Sequence, residues 1–523
     1  MARLPAGSAG LNSGRALLAV LQQAGRAGLR VLRRPLERAF GPAANPLQHL
    51  GALTVFFCWI VLISGVWLLI FFRTSVAGAF ASVEYLSREQ WYLGGIMRSL
   101  HRYASDAAIL VLLLHLLQEF SNDNYRLSRW FSWVTGLPLV WLIFPLGISG
   151  YWLVWDELAQ YTAITSAELL DRIPIFTSSM AGNFLSDAAL SDRFFTLMAF
   201  LHLVGLPIFL VFGIWLHVFR LSGPRINPPR SLMAGTLLSL LLLALVFPAQ
   251  SQDKANLALA PRELQLDWFY LHVYPLVQTW SPGWVWLLLV SVSGLIVLAP
   301  WLPPARKVPP ARVNLDNCNG CRRCADDCPF GAIRMEPRSD GKSYAWEAAV
   351  DPGLCVSCGI CVGACPTATP FRTRSELVPG IDLPQLSVAF LRQQMLRPAG
   401  EGVVVFACRG SAAANSFGKA GQPVVEVQCL GQVPPAFFDF ILSRNIARGI
   451  FLGGCGDGGC RYRFGTDWTR QRIERRRDPH LRKRVDARRI LRSWCDLPEH
   501  RSDVQRQLAA FSASLDRGGV GAP

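Results

Sequence analysis

"HRYASDAAILVLLLH", residues 101–115, has a histidine at each end of a mainly apolar run of helix length. An α-helix rises about 1.5 Å per residue, so a gap of fourteen residues is nearly four whole turns and about 21 Å, with both ends on one face. The interval recurs along the chain: Gly51 and Gly65, Gly136 and Gly150, and, one residue longer, His202 and His217. Four segments therefore share one internal ruler.

The surroundings of these segments are apolar. The chain has 523 residues, is 51% hydrophobic and carries a formal charge of +16. It is too long for one domain and too apolar for an ordinary soluble protein. Apolar runs near 51–72, 104–120, 131–155, 194–219, 232–248 and 283–302 approach the roughly 20 residues that cross a bilayer, so six membrane helices are expected. Arginines cluster before the first helix, after the second (Arg126, Arg129), after the fourth (Arg220, Arg225, Arg230) and after the sixth (Arg306, Lys307, Arg312), while 156–192 leans acidic. Positive charge marks the cytoplasmic side. Both termini are expected there, in a multi-pass protein of the bacterial inner membrane. Residues 1–45 alternate arginine with apolar residues and lack the continuous apolar core of a signal peptide, which suits a segment lying on the membrane surface.

Ionisable groups inside a membrane are rare and usually functional. Two histidine pairs at matching heights, each with a glycine pair, suit two flat haem plates stacked across the bilayer. His101 would face His202 and His115 would face His217 as axial ligands, with Gly51, Gly65, Gly136 and Gly150 giving the porphyrins room. The alternative is a set of polar residues merely satisfied in a packed bundle.

"GGIMRSLHRYASDAAILVLLLHLL", "WVTGLPLVWLIFPLGISGYWLVWDELAQY" and "LSDRFFTLMAFLHLVGLPIFLVFGIWLHVFRLSG" resemble the N-terminal four helices of the cytochrome b/b6 family of quinol-oxidising complexes. The fifteen-residue gap resembles the b6 branch. The resemblance implies two b-type haems, with Arg98 and Arg102 near their propionates. It also implies an outer quinone pocket bordered by Gly150, Tyr151, Trp155 and Asp156. That branch has a cysteine for a further haem where this chain has His49, so no such haem is expected. The family's Pro-Glu-Trp-Tyr motif has only a loose counterpart in Leu266, Asp267, Trp268 and Phe269. Asp267 is a candidate acceptor of a quinol proton; the alternative is an interfacial aromatic belt with one solvated acid.

Thirteen of fourteen cysteines follow residue 300, on the expected reducing side, where metal ligation is the better reading than disulfides. Cysteines 318, 321, 324 and 328 and cysteines 355, 358, 361 and 365 each follow C-x2-C-x2-C-x3-C-P. In that pattern the fourth cysteine ligates the other cluster. Cys318, Cys321, Cys324 and Cys365 should hold one 4Fe-4S cluster, and Cys355, Cys358, Cys361 and Cys328 the second. The run resembles the bacterial two-cluster ferredoxin fold.

Beyond residue 400, short β-branched runs alternate with helical stretches, as in a small α/β domain. Cys408, Cys429 and Cys455 end three expected strands, and Cys460 follows in "GGCGDGGCRYRFG". This segment resembles the delta subunit of methyl-viologen-reducing hydrogenase, which implies one 2Fe-2S cluster on these four cysteines and docking to a flavoprotein. Here Cys408 lacks the close second cysteine usual in that family. Residues 461–492 carry thirteen Lys or Arg against four acids. No nucleic-acid-binding fold accompanies them, so no nucleic acid is expected; a solvated helix or a docking face for an acidic redox partner fits better.

The expected fold is multidomain. An all-α transmembrane di-haem bundle (46–230) and two further helices (231–304) precede an α+β two-cluster ferredoxin domain (312–370). A small α/β domain (400–497) and a tail (498–523) follow. The expected function is that of a quinone-linked oxidoreductase subunit that exchanges electrons with a soluble cytoplasmic flavin or iron-sulfur oxidoreductase, resembling heterodisulfide reductase or hydrogenase. A homodimer is compatible with it. The alternatives are a redox-sensing membrane protein and a non-catalytic assembly subunit that docks through its basic C-terminal region.

Overall fold

The computed structural model describes residues 7–41, 44–126, 129–174, 179–185, 191–219, 226–261, 263–303, 309–372, 377–396, 402–409, 411–417, 424–455, 460–494 and 501–516. It divides into two compact units, 1–304 and 305–523.

The first unit is helical: α1 (Gly7–Phe40), α2 (Leu50–Phe71), α3 (Gly78–Arg88), α4 (Ile96–Ser121), α5 (Trp130–Val154), α6 (Glu157–Asp171), α7 (Met180–Phe184), α8 (Asp192–Phe200), α9 (Leu206–Val218), α10 (Arg230–Val246), α11 (Tyr274–Thr279) and α12 (Pro282–Leu298). Among the described residues, five spans are long and apolar enough to cross a membrane: Leu50–Phe71, Trp91–Ser121, Trp130–Val154, Asp192–Val218 and Pro282–Trp301. The sixth expected helix, α10, is apolar but only 17 residues long. The second span begins thirteen residues before its apolar run because Arg98, His101, Arg102 and Asp106 interrupt the hydrophobic pattern without interrupting the helix. Two π-helical turns, Trp91–Gly95 and Leu201–Gly205, are built into the second and fourth spans. A π turn closes i to i+5 and absorbs one extra residue. The second of these turns lies within the interval from His202 to His217. That accounts for a spacing of fifteen where the partner helix has fourteen.

The second unit opens with β1 (Arg312–Val313), α13 (Arg323–Asp326), the antiparallel hairpin of β2 (Ile333–Pro337) and β3 (Trp346–Val350), α14 (Ile360–Ala364) and β4 (Ile381–Asp382), which pairs with β1. After α15 (Val388–Met395) come β5 (Val403–Cys408), α16 (Ala412–Phe417), β6 (Val424–Val427), α17 (Pro435–Ser443), β7 (Gly449–Gly454), α18 (Gly465–Ile473), β8 (Ile490–Trp494) and α19 (Arg501–Asp516). The four strands form a parallel sheet in the order β6-β5-β7-β8. Every residue of β5 and β7 is buried, as a parallel sheet covered on both faces requires. Val404, Phe406, Ile450 and Leu452 pack with Phe437, Phe438 and Ile441 on one face. On the other, Val403, Val405 and Phe451 meet Val504, Leu508 and Phe511 of α19. That stripe makes 501–516 part of the α/β domain, which therefore runs past 497, where the sequence reading ended it.

Candidate redox sites

The rings of His101 and His202 face each other with centroids 6.2 Å apart. An imidazole nitrogen binds a metal at about 2.0 Å. Two imidazoles on opposite sides of one iron thus place their nitrogens about 4 Å apart and their centroids about 6 Å apart. The spacing fits a bis-histidine haem.

The glycines have a more specific task than making room for porphyrin. A Cβ on Gly65 would lie 2.9 Å from Cε1 of His101, one on Gly150 3.0 Å from His202, one on Gly136 3.2 Å from His217 and one on Gly51 3.5 Å from His115. Each glycine receives one imidazole edge-on. Three of these seats repeat a single design. His101 Nδ1 donates to the Val61 carbonyl (3.0 Å) and lies 3.2 Å from the Ser64 hydroxyl. His202 Nδ1 lies 3.1 Å from the Ser149 hydroxyl and the ring bonds to the Leu146 backbone carbonyl, and His217 Nδ1 lies 3.5 Å from the Thr135 hydroxyl with the ring on the Ser132 carbonyl. In each case the carbonyl is four residues before the glycine and the hydroxyl one before it. With Nδ1 held as a donor, Nε2 keeps its lone pair for a metal, the usual way a ligating histidine is fixed. The fourth seat differs: Leu50 precedes Gly51, and the Leu47 carbonyl accepts instead from Gln118 Nε2 (2.8 Å). The Ser/Thr-Gly dipeptides were visible in the sequence but were read only as glycines.

Of the residues tied by resemblance to propionates, Arg98 donates to Ser87 and Ser251, the latter at 2.8 Å, and lies 3.6 Å from Glu84. Arg102 pairs with Asp106 (3.2 Å) and Asp267 (3.1 Å) and covers the Tyr151 ring at 4.5 Å. Asp267 is 7% exposed and accepts from the Tyr151 hydroxyl and from Phe269 N (2.8 Å), so it is not a solvated acid. Trp268 and Phe269 beside it are exposed, as an aromatic belt would be. Asp156 instead caps α6: its oxygens accept from Ala159 N (2.9 Å) and Gln252 N (3.0 Å). Those bonds account for it structurally.

In the second unit one pocket is lined by Cys328, Cys355, Cys358 and Cys361, and another by Cys318, Cys321, Cys324 and Cys365. The structure thus groups the cysteines in the crossed pattern. Among the described residues, no three His, Cys, Asp or Glu close on a point as ligands of a single ion would. Sulfurs spread around an open cavity suit a polynuclear cluster. Burial pushes the Cys324 and Cys358 thiols up to about 12, so ligation there must expel protons. Backbone N–H groups of Ala332 and Ala311 approach the sulfurs of Cys328 (3.3 Å) and Cys355 (3.5 Å), the type of contact that tunes a cluster.

Cys408 ends β5, and Cys429 and Cys455 lie just past the carboxyl ends of β6 and β7, three adjacent parallel strands, where open α/β sheets place their ligands. Cys460 joins them. Hydrogen bonds from Cys429 and Cys455 hold Cys408 and Cys460 below the usual thiol range. Leu430 N also donates to Cys408 Sγ (3.2 Å). Gly465 lies so close to the Cys429 sulfur that a side chain there would strike it. Cys495 falls outside the described residues.

The arginine-rich segment is in large part an internal fastening. Arg472 is 1% exposed, pairs with Asp327 between Cys324 and Cys328, and donates to the Gly431 carbonyl at 3.0 Å. Arg477 joins the same carboxylate and covers the Trp468 ring at 4.1 Å, while Arg484 forks onto the buried Asp439 at 2.9 and 2.8 Å. Cys358, Ile360, Cys429 and Tyr462 share one apolar cluster, so the cysteine groups of the two folds abut across this seam.

Three family models match the chain in order. Cytochrome b/b6/petB covers 39–223, the 4Fe-4S dicluster domain 317–369 and the delta subunit of methyl-viologen-reducing hydrogenase 403–517. Among solved structures, a chain titled "Hyperthermophilic respiratory Complex III" is similar at 18% identity and a TM-score of 0.40, over 49% of this chain and 75% of its own. The cytochrome b region implies haem, and the dicluster domain implies iron-sulfur clusters. Both are redox electron-transfer domains, and five membrane-length apolar helices accompany them.

Proposed function

We propose that the chain is a quinone-linked oxidoreductase subunit of the bacterial inner membrane, with both termini cytoplasmic. It passes electrons among the quinone pool, two b haems, two 4Fe-4S clusters and a 2Fe-2S cluster, to or from a soluble flavin or iron-sulfur enzyme. The observation that carries this reading is the His101–His202 separation of 6.2 Å, with each ring seated on a glycine and anchored through Nδ1. His115 and His217 would hold the second haem. Bound haems and clusters supply one-electron relays. The protein's own residues orient the imidazoles, exclude water from the cysteine cavities and present Asp267, with Tyr151 and Arg102 on it, as the acceptor of a quinol proton. Moving an electron across the membrane is worth about 2.3 kcal/mol per 100 mV, so the membrane potential can set the direction of flow.

Anaerobic purification followed by optical and EPR redox titration tests the assignment. Two b-type haem transitions and three cluster signals are expected, with quinol reducing at least one haem. A preparation whose haems quinol never reduces would reject the quinone link.

A further inference from the structure

Arg102, Asp106, Tyr151 and Asp267 form a partly buried group that the electron path does not use. Asp106 lies on α4 one turn beyond Arg102, and its Oδ2 takes Arg102 Nε at 3.2 Å. Its other oxygen, Oδ1, is buried and has no donor. The Asp267 carboxyl lies within hydrogen-bond reach of Asp106, while Asp267 Oδ2 meets Arg102 Nη2 at 3.1 Å. Two carboxyls, Asp267 buried and Asp106 partly so, therefore face each other over one guanidinium. Two ionised carboxylates cannot hydrogen-bond to each other, and one cation cannot offset both charges. Around them, Tyr151 donates to Asp267, Tyr270 shares a hydrogen bond with Ser105 at 2.8 Å, Tyr103 stands on the same helix, and Arg98 lies on the far side of Arg102, held by Glu84. Arg102 follows His101 on α4 and Tyr151 follows Gly150 on α5, so the group is carried by the same two helices as the His101–His202 seat.

We propose that Asp106 and Asp267 are a proton-holding dyad linked to reduction of the haem between His101 and His202. At rest the pair holds one proton, which makes it neutral overall with Arg102. With a haem held there, the pair would take up a second proton from water for an electron gained and would release it when the electron is lost. The proposal rests on the haem assignment above but not on quinol as the electron donor.

The test is the midpoint potential of that haem, identified as the one lost in His202→Leu, measured against pH in the full detergent-purified chain with dithionite as reductant. One proton per electron gives a slope approaching about 59 mV per pH unit, the one-electron equivalent of a tenfold change. The native chain should show such a slope, and Asp106→Asn and Asp267→Asn should each flatten it while keeping both haem spectra. Redox-difference infrared spectra give a second readout: a carboxyl C=O band that appears on reduction and disappears in Asp106→Asn. A slope unchanged in both variants, or no such band in the native chain, would overturn the dyad. If quinol fails to reduce the haem while the slope still flattens, the quinone reading falls and the dyad stands.

Discussion

The two units position redox ligands by opposite means. In the membrane unit the ligands are far apart in sequence and are brought together by rigid helices, so their placement follows from a count of residues along an axis. In the second unit the cysteines of each ferredoxin-like motif are three or four residues apart, yet each group is completed by a cysteine from elsewhere, and the surrounding fold rests on a dense core and buried ion pairs. The first arrangement depends on small residues at a few heights. The second depends on long-range pairs that hold whole segments in place.

This contrast is sharpest at the histidines. His202→Leu should remove one haem completely and leave the other, halving the haem content per chain in a pyridine haemochrome assay. The glycine seats should fail in graded order: Gly65→Val or Gly150→Val should empty the His101–His202 site, whereas Gly51→Ala, with a Cβ 3.5 Å from His115, should retain its haem.

In the second unit the corresponding weak point is a charge. Arg472→Met would leave Asp327 buried with only Arg477, and breaking a buried pair in this way costs about 3–5 kcal/mol. The expected result is earlier unfolding and loss of clusters from 305–523 with both haem spectra intact. Equal loss of haem would end the claim that the two units are stabilised separately. The anchoring hydroxyls should matter less: Ser149→Ala removes one contact to His202 and should weaken haem retention about 10-fold, at the low end for such supporting groups.

The smallest effect concerns Asp382, whose carboxyl burial pushes up to about 6 although it accepts from Val388 N and Leu383 N. A raised carboxyl binds its proton more tightly in the folded state, so its contribution is full below about 4 and is lost as pH rises through about 6. Asp382→Asn should flatten the melting temperature of the second unit over that window.

How far the sequence could be read follows from the same contrast. Periodic features were legible: the helices, the fourteen-residue interval, both cysteine runs and the strands ending in Cys408, Cys429 and Cys455. The fifteenth residue between His202 and His217 was visible, but its cause, a π turn, was not. The pairs Arg472–Asp327 and Asp106–Asp267 could not be found, because they join residues more than a hundred positions apart and leave no period. The charge of the basic segment 461–492 suggests a solvated helix or a docking face, whereas Asp327 and Asp439, which tie Arg472, Arg477, Arg482 and Arg484 into the fold, lie outside it.

The central claim is that one chain conducts between its haems and its clusters. The most direct measurement adds quinol anaerobically to the full chain in vesicles and follows haem absorbance and cluster EPR in the same samples, for the native chain and His202→Leu. The account predicts that haem reduction precedes cluster reduction in the native chain and that cluster reduction is lost in the variant. Clusters that reduce at an unchanged rate in His202→Leu would contradict it.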